Sequence, residues 1–235
     1  INFNKKIFIY FFFITSLLIS YFIGENSSGG AKADYYSTNK YIEAFKISIN
    51  YGLELFFKDQ QLHFPFFYIL ISFLDELFGN LFLHILYLLI SSLIPVIFYK
   101  VLKKKFPEAN IDILFFLSLI IFLSPYFRSS AVWITTDNLA LLFFMLSINS
   151  YVIFEKDKKN YLKRSFLCFF FLILASYIRH YYSLFFFFYL ILMQPKLKLK
   201  ENFFIIIFNL ILSIPALVYV FFFIKNISIS GNFHT

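Results

Sequence analysis

Charge is scarce in this chain of 235 residues: Asp, Glu, Lys and Arg make up 14% of it, against 60% hydrophobic residues and a mean hydropathy of +0.77. A soluble domain of that length has no interior large enough to hide so much apolar surface, so lipid must be the solvent for most of the chain. There is one cysteine, Cys168, which excludes an internal disulfide. Its apolar surroundings read as packed or lipid-facing. No Cys/His cluster, Gly-rich phosphate loop or G-x-S-x-G is present, so these signatures of metal, nucleotide and serine-nucleophile chemistry are missing. What is abundant is Phe, at 39 residues, read as drift among interchangeable lipid-facing positions.

Apolar runs fall at Ile7–Ile23, Phe64–Leu74, Leu81–Tyr99, Ile113–Leu123, Leu139–Phe154, Ser165–Ile178, Tyr181–Met193 and Phe203–Ile224. Between them "KVLKKK", "EKDKKNYLKR" and "KLKLKEN" are short and basic, as is the opening "NFNKK". Such segments stay in the cytoplasm. The first run has the charged start of a signal peptide, but no small-residue cleavage site follows it cleanly, and it reads as a signal anchor. It must exit, which leaves Gly24–His63 outside. Phe64–Tyr99 must then return an odd number of times and is too short for three crossings at about 20 residues each. Leu81–Tyr99 is therefore the inward pass, and Phe64–Leu74 a re-entrant or interfacial helix. The remaining runs form two hairpins and a final exit. The expected fold is all-α: one polytopic membrane domain over 1–235, with about seven crossings, the re-entrant helix and an amphipathic outer loop. This topology accounts for the net charge of +8, and no nucleic-acid partner is needed. The chain opens on Ile and stops at "GNFHT", and is read as the N-terminal part of a longer protein.

That topology gathers Asp34, His63, Arg128, Asp137, Arg179 and His180 on the outer side or just beneath it. Ser165–Ile178 rises only about 21 Å, less than the hydrocarbon thickness, so the apex "RHYY" sits below the membrane surface. An ionisable side chain held there costs about 3 kcal/mol and is either a functional group or one that snorkels toward the headgroups. In the first outer loop a helix is expected from about Tyr35. Tyr36, Tyr41, Phe45 and Ile49 recur in it at helical spacing, as in a helix lying on the membrane. Asp34 stands at the expected N-cap, where capping alone would explain it.

The order of these pieces resembles the GT-C superfamily of integral-membrane glycosyltransferases. The pieces are "ADYYSTNKYIEAF", "LHFPFFYILISFLDELFG", "SPYFRSSAVWITTDNLALLFFML" and "ASYIRHYYSLF". Dolichyl-phosphate-glucose glucosyltransferases and the protein mannosyltransferase and aminoarabinose transferase relatives show versions of them, over a stretch matching about Ile7 to Met193. The chain departs from them in carrying one Asp, not an acidic pair, in the loop, and one proline in "HFPF". The resemblance implies an inverting transferase in the plasma membrane of a bacterium, acting on the outer face. Its donor would be a polyprenyl-phosphate sugar and its acceptor a lipid, glycan or protein.

The residue chemistry fits. Inverting transfer needs one carboxylate to take the acceptor's proton, and Asp34 is the candidate catalytic base. The leaving phosphate needs its charge held, which suits the planar fork of Arg179 with His180 and His63 beside it. Asp137 and Arg128 are candidates to orient the acceptor. Asp137 can alternatively cap its helix or, with Asp34, hold a divalent metal, the one cofactor in view. Trp133 and the tyrosines fit either a sugar-stacking surface or an interfacial aromatic belt. The alternatives are a lipid-linked oligosaccharide polymerase or ligase, and a transporter of such lipids that does no chemistry.

Overall fold

The computed structural model describes residues 2–27, 29–59, 61, 64–156 and 160–230, with 222–230 by backbone alone. Among them every regular element is helical. In chain order these are α1 (Phe3–Phe22), α2 (Ala31–Ile47), α3 (Ile49–Lys58), α4 (Phe66–Phe78), α5 (Asn80–Lys105), α6 (Ile111–Leu119), α7 (Pro125–Val132), α8 (Thr136–Lys156), α9 (Tyr161–Ile178), α10 (Phe185–Met193) and α11 (Leu199–Ser230), with 3₁₀ turns at Ile120–Leu123, His180–Leu184 and Gln194–Lys196.

Among the described residues five helices are long and apolar enough to cross a membrane: α1, α5, α8, α9 and α11. A sixth candidate is bent. α6 and its 3₁₀ turn meet α7 at 64°. The break follows from the sequence, because Pro125 opens α7 at its first turn and the Ser124 side chain accepts from the Phe127 N–H at 3.4 Å. The multi-pass, all-helical expectation holds, and between Phe64 and Tyr99 one helix, α5, is long and apolar enough to cross. There α5 runs unbroken for 26 residues, while α4 has 13 and rises only about 20 Å. The two meet at Gly79, whose φ of 79° is a left-handed conformation that glycine adopts without steric penalty.

α8 packs between α5 and α9 at the centre, while α1 and α11 lie at the edges with few of their residues buried. Polar ties inside the bundle hold its register. Asn138 donates to Ser91 Oγ at 3.1 Å and to the Phe127 carbonyl at 3.0 Å, and Ser147 donates to the Cys168 carbonyl at 2.8 Å. Cys168 is packed within the bundle.

The first outer loop differs from expectation. Its helix starts at Ala31 and is capped by Gly30, so Asp34 lies inside the first turn and is no N-cap. The amphipathic helix is in fact a helical hairpin. It breaks at Ser48, whose hydroxyl accepts from the Tyr51 N–H at 3.1 Å and so starts α3. Tyr41 and Phe45 are buried against Phe56 and Tyr68, whereas Tyr36 and Ile49 are 62% and 60% exposed. The helical spacing was real, but its buried side faces α3 and α4 within the protein. Lys46 of α2 also pairs with the buried Asp75 of α4.

Ion pairs sort the helix ends into two groups. Lys6 meets Asp112 at 2.7 Å, Lys105 meets Glu155 at 2.8 Å, and Lys196 donates to the Glu155 carbonyl at 3.0 Å. These join the starts of α1 and α6 to each other, and the ends of α5, α8 and α10 to one another. Glu25, Arg128, Asp137 and Arg179 occupy the other ends of the helices that carry or flank them.

Candidate functional site

Three breaks between helices build the site. The first is the turn after α1. Gly24, at a φ of 64°, brings the chain back against Trp133, and the Trp133 indole N–H donates to the Glu25 carbonyl at 2.8 Å. The Glu25 carboxylate receives Arg128, with Nε at 3.0 and 3.1 Å and Nη2 at 2.8 Å. Arg128 Nη1 donates to Ser16 Oγ at 3.0 Å, and Nη2 also donates to the Ser20 hydroxyl. Arg128 is thus engaged from two sides and ties α7 to α1. The hydrogen bonds from Arg128 hold the Glu25 carboxyl down at about 2.

The second break joins α7 to α8. Here Ile134, fully buried, has a φ of 47°. A β-branched side chain in the left-handed region is strained by about 1–3 kcal/mol, and such strain persists only where the surroundings impose it. The surroundings are Tyr87, whose hydroxyl donates to the Thr135 carbonyl and accepts from the Leu139 N–H, and His84, whose Nδ1 donates to the Val132 carbonyl at 3.1 Å. The strained turn delivers Asp137 to the first turn of α8. Its Oδ2 accepts from the Tyr126 hydroxyl at 3.0 Å and from Thr135 Oγ1 at 3.4 Å.

The third break is Arg179, between α9 and the 3₁₀ turn that follows. Its Nη2 lies 2.9 Å from both Asp137 oxygens. Its Nε is buried and has no hydrogen-bond partner among the described residues. A guanidinium carries five donors, so this one is pinned at one corner with donor capacity to spare. Burial pushes the phenol of Tyr68 in α4 up to about 12, and the charges of Arg179 and Asp34 act on it in opposite directions. Asp34 is exposed and joins no ion pair among the described residues.

The expected site residues therefore divide. Arg179 and Asp137 are in contact; Asp34, on α2, joins no ion pair with either, and the charges of Arg179 and Asp34 both reach Tyr68. Arg128 belongs to a separate ion pair with Glu25. His180 faces a groove of about 420 Å³ between α9, α10 and α11, walled by Leu172, Phe186 and Leu210. Asn209, almost wholly buried, lines the same groove, and its Oδ1 has no partner among the described residues. His63 lies outside the described residues. Among the described residues no group of three or more His, Cys, Asp or Glu side chains is placed to hold a metal. Trp133 packs with Tyr35 and Tyr36 at centroid distances of 5.8 and 6.3 Å, with Lys32 over its ring at 5.3 Å. Reading the sequence missed Glu25, His84, Tyr68 and Tyr126. Only Glu25 left a signal: an acid directly after an apolar span, in a chain with an arginine to balance. The chain matches no family model, no curated protein and no solved structure.

Proposed function

We propose that the protein is a glycosyltransferase of the GT-C type, which moves a sugar from a polyprenyl-phosphate donor to an acceptor at the outer face of a bacterial plasma membrane. The observation that carries this reading is Arg179. It is pinned by Asp137, is half-buried, and has a buried Nε without a partner among the described residues. A buried unpaired donor on a fixed cation is poorly placed for stability alone and well placed to receive a phosphate oxygen. In this reading the carrier's phosphate meets Arg179, its tail lies in the groove past His180, and the sugar extends toward Asp34. Asp34 takes the acceptor hydroxyl's proton as that oxygen attacks the anomeric carbon. The bond from that carbon to the phosphate oxygen breaks with its electron pair, and Arg179 holds the added negative charge. Asp137 positions Arg179, while Arg128, spent on Glu25, positions α7.

The finer topology belongs with this proposal. Seven crossings are supported by the two groups of helix ends: α6 with its 3₁₀ turn, and α10 with its flanking turns, each run from one group to the other. The lysine-rich group is the cytoplasmic one by charge bias.

The test is the purified protein in liposomes with a radiolabelled polyprenyl-phosphate hexose or pentose and a mixed lipid acceptor pool. Label should leave the donor, and Asp34→Asn should slow this by about 10²-fold or more without loss of folded protein. Equal rates for parent and Asp34→Asn would remove the base from the scheme.

A further inference from the structure

The lysine-rich end of the bundle holds a slot that the transfer reaction does not use. It has a volume of about 440 Å³ and opens between α1, α5 and α6. Its walls are apolar and aromatic, formed by Ile7, Tyr10, Pro95, Tyr99, Phe115 and Leu119. Pro95 lies inside α5, about two turns from Lys103, and has no N–H for the carbonyl one turn before it, so α5 lacks one backbone hydrogen bond there. The Tyr10 hydroxyl donates to the neighbouring Ser92 carbonyl and ties α1 to α5 at that depth.

The mouth has the opposite character. Lys6 and Lys103 stand there, one on α1 and one on α5. Lys6 is fixed, 2.7 Å from Asp112 and 5.7 Å from the centre of the Phe115 ring. Lys103 is exposed and joins no ion pair among the described residues. The slot therefore has an apolar floor and walls, with net positive charge at one end only. From Lys103 to Pro95 along α5 is about 12 Å, well within one leaflet. An amphiphile with one anionic end matches that gradient, and basic pockets between helices on this side of a membrane are suited to lipid headgroups.

We infer that this slot binds an anionic glycerophospholipid of the inner leaflet, with its phosphate between Lys103 and Lys6 and an acyl chain along Tyr10, Pro95 and Leu119. Asp112 competes with the phosphate for Lys6, which leaves Lys103 as the principal contact. The proposal does not depend on the transfer reaction, because it uses neither Arg179 nor Asp34.

The experiment is native mass spectrometry of the purified protein with phosphatidylglycerol and phosphatidylcholine of identical acyl chains. The parent should retain phosphatidylglycerol in preference to phosphatidylcholine. Lys103→Gln should lower that retention about fivefold, the effect of one cation at a membrane surface. Asp112→Asn should raise it, and Ile7→Trp, which fills the slot from an exposed position, should lower it with every lysine still present. Lys163→Gln, on the same face but outside the slot, should leave it unchanged. The inference fails if the two lipids are retained equally, or if Lys163→Gln costs as much as Lys103→Gln. It fails equally if Ile7→Trp has no effect, or if the species that Lys103 controls is a protein dimer free of lipid.

Discussion

Arg128 and Arg179 each pair with a carboxylate near a break between helices, and the number of donors each has spent separates their roles. Arg128 gives both edges of its guanidinium to Glu25, Ser16 and Ser20. Glu25→Gln keeps the shape but leaves the half-buried cation without its counter-charge, so the protein should lose about 1–3 kcal/mol of stability, read from unfolding in detergent. The same pair sets a pH dependence. The folded carboxyl titrates at about 2, below its ordinary 4.5, so its stabilisation is complete above pH 4.5 and is lost as pH falls toward 2. The stability gap between parent and Glu25→Gln should therefore be constant from pH 7 to 5 and close progressively below 4.5. A gap that persists undiminished at pH 3 would show that the charge is not what Glu25 contributes. Both arginines stood out in the sequence as costly residues in an apolar setting. Their partners did not, because Glu25 is 103 positions from Arg128 and Asp137 is 42 from Arg179, distances that local pattern does not bridge.

The outer helical hairpin depends on a close approach at Gly52. A Cβ built there would overlap the buried Phe45 ring, so any side chain must displace that ring or push α3 off α2. Gly52→Ala should cost about 1–3 kcal/mol and expose the α2–α3 hairpin to protease, with α5, α8 and α9 still protected. Unchanged proteolysis would mean that the hairpin is free to move apart without cost. This element also marks where sequence reading ran short. Tyr41 and Phe45 are half of a periodic stripe, and periodicity names a buried face without saying whether lipid or protein covers it. The break at Ser48 depends on a side-chain cap inside an otherwise helical pattern, and the start at Ala31 on the preceding Gly29, whose φ is 79°. By contrast α5, α8 and α9 were recognisable as membrane helices, because length and hydropathy suffice when lipid is the solvent.

For the whole molecule, the lysine-bearing ends and the Glu25–Asp137–Arg179 ends must lie on opposite sides of the bilayer if the reading is right. Cys168 is buried, so it gives little background to thiol labelling. A cysteine at Lys32 should react with an impermeant reagent added outside intact cells, and one at Lys163 should react only after permeabilisation; both positions are exposed. The reverse pattern would place the acidic loop in the cytoplasm. With the faces assigned, what the site does rests on Arg179.

The most direct measurement is the initial rate of sugar transfer against donor concentration, in liposomes, for the parent, Arg179→Lys and Arg179→Ala at equal folded protein. If the guanidinium receives the carrier's phosphate, Arg179→Lys keeps the charge but loses the fork. The donor kcat/KM should then fall about tenfold for Lys and further for Ala, with acceptor KM unchanged. Arg179→Ala that turns over donor like the parent would contradict the account.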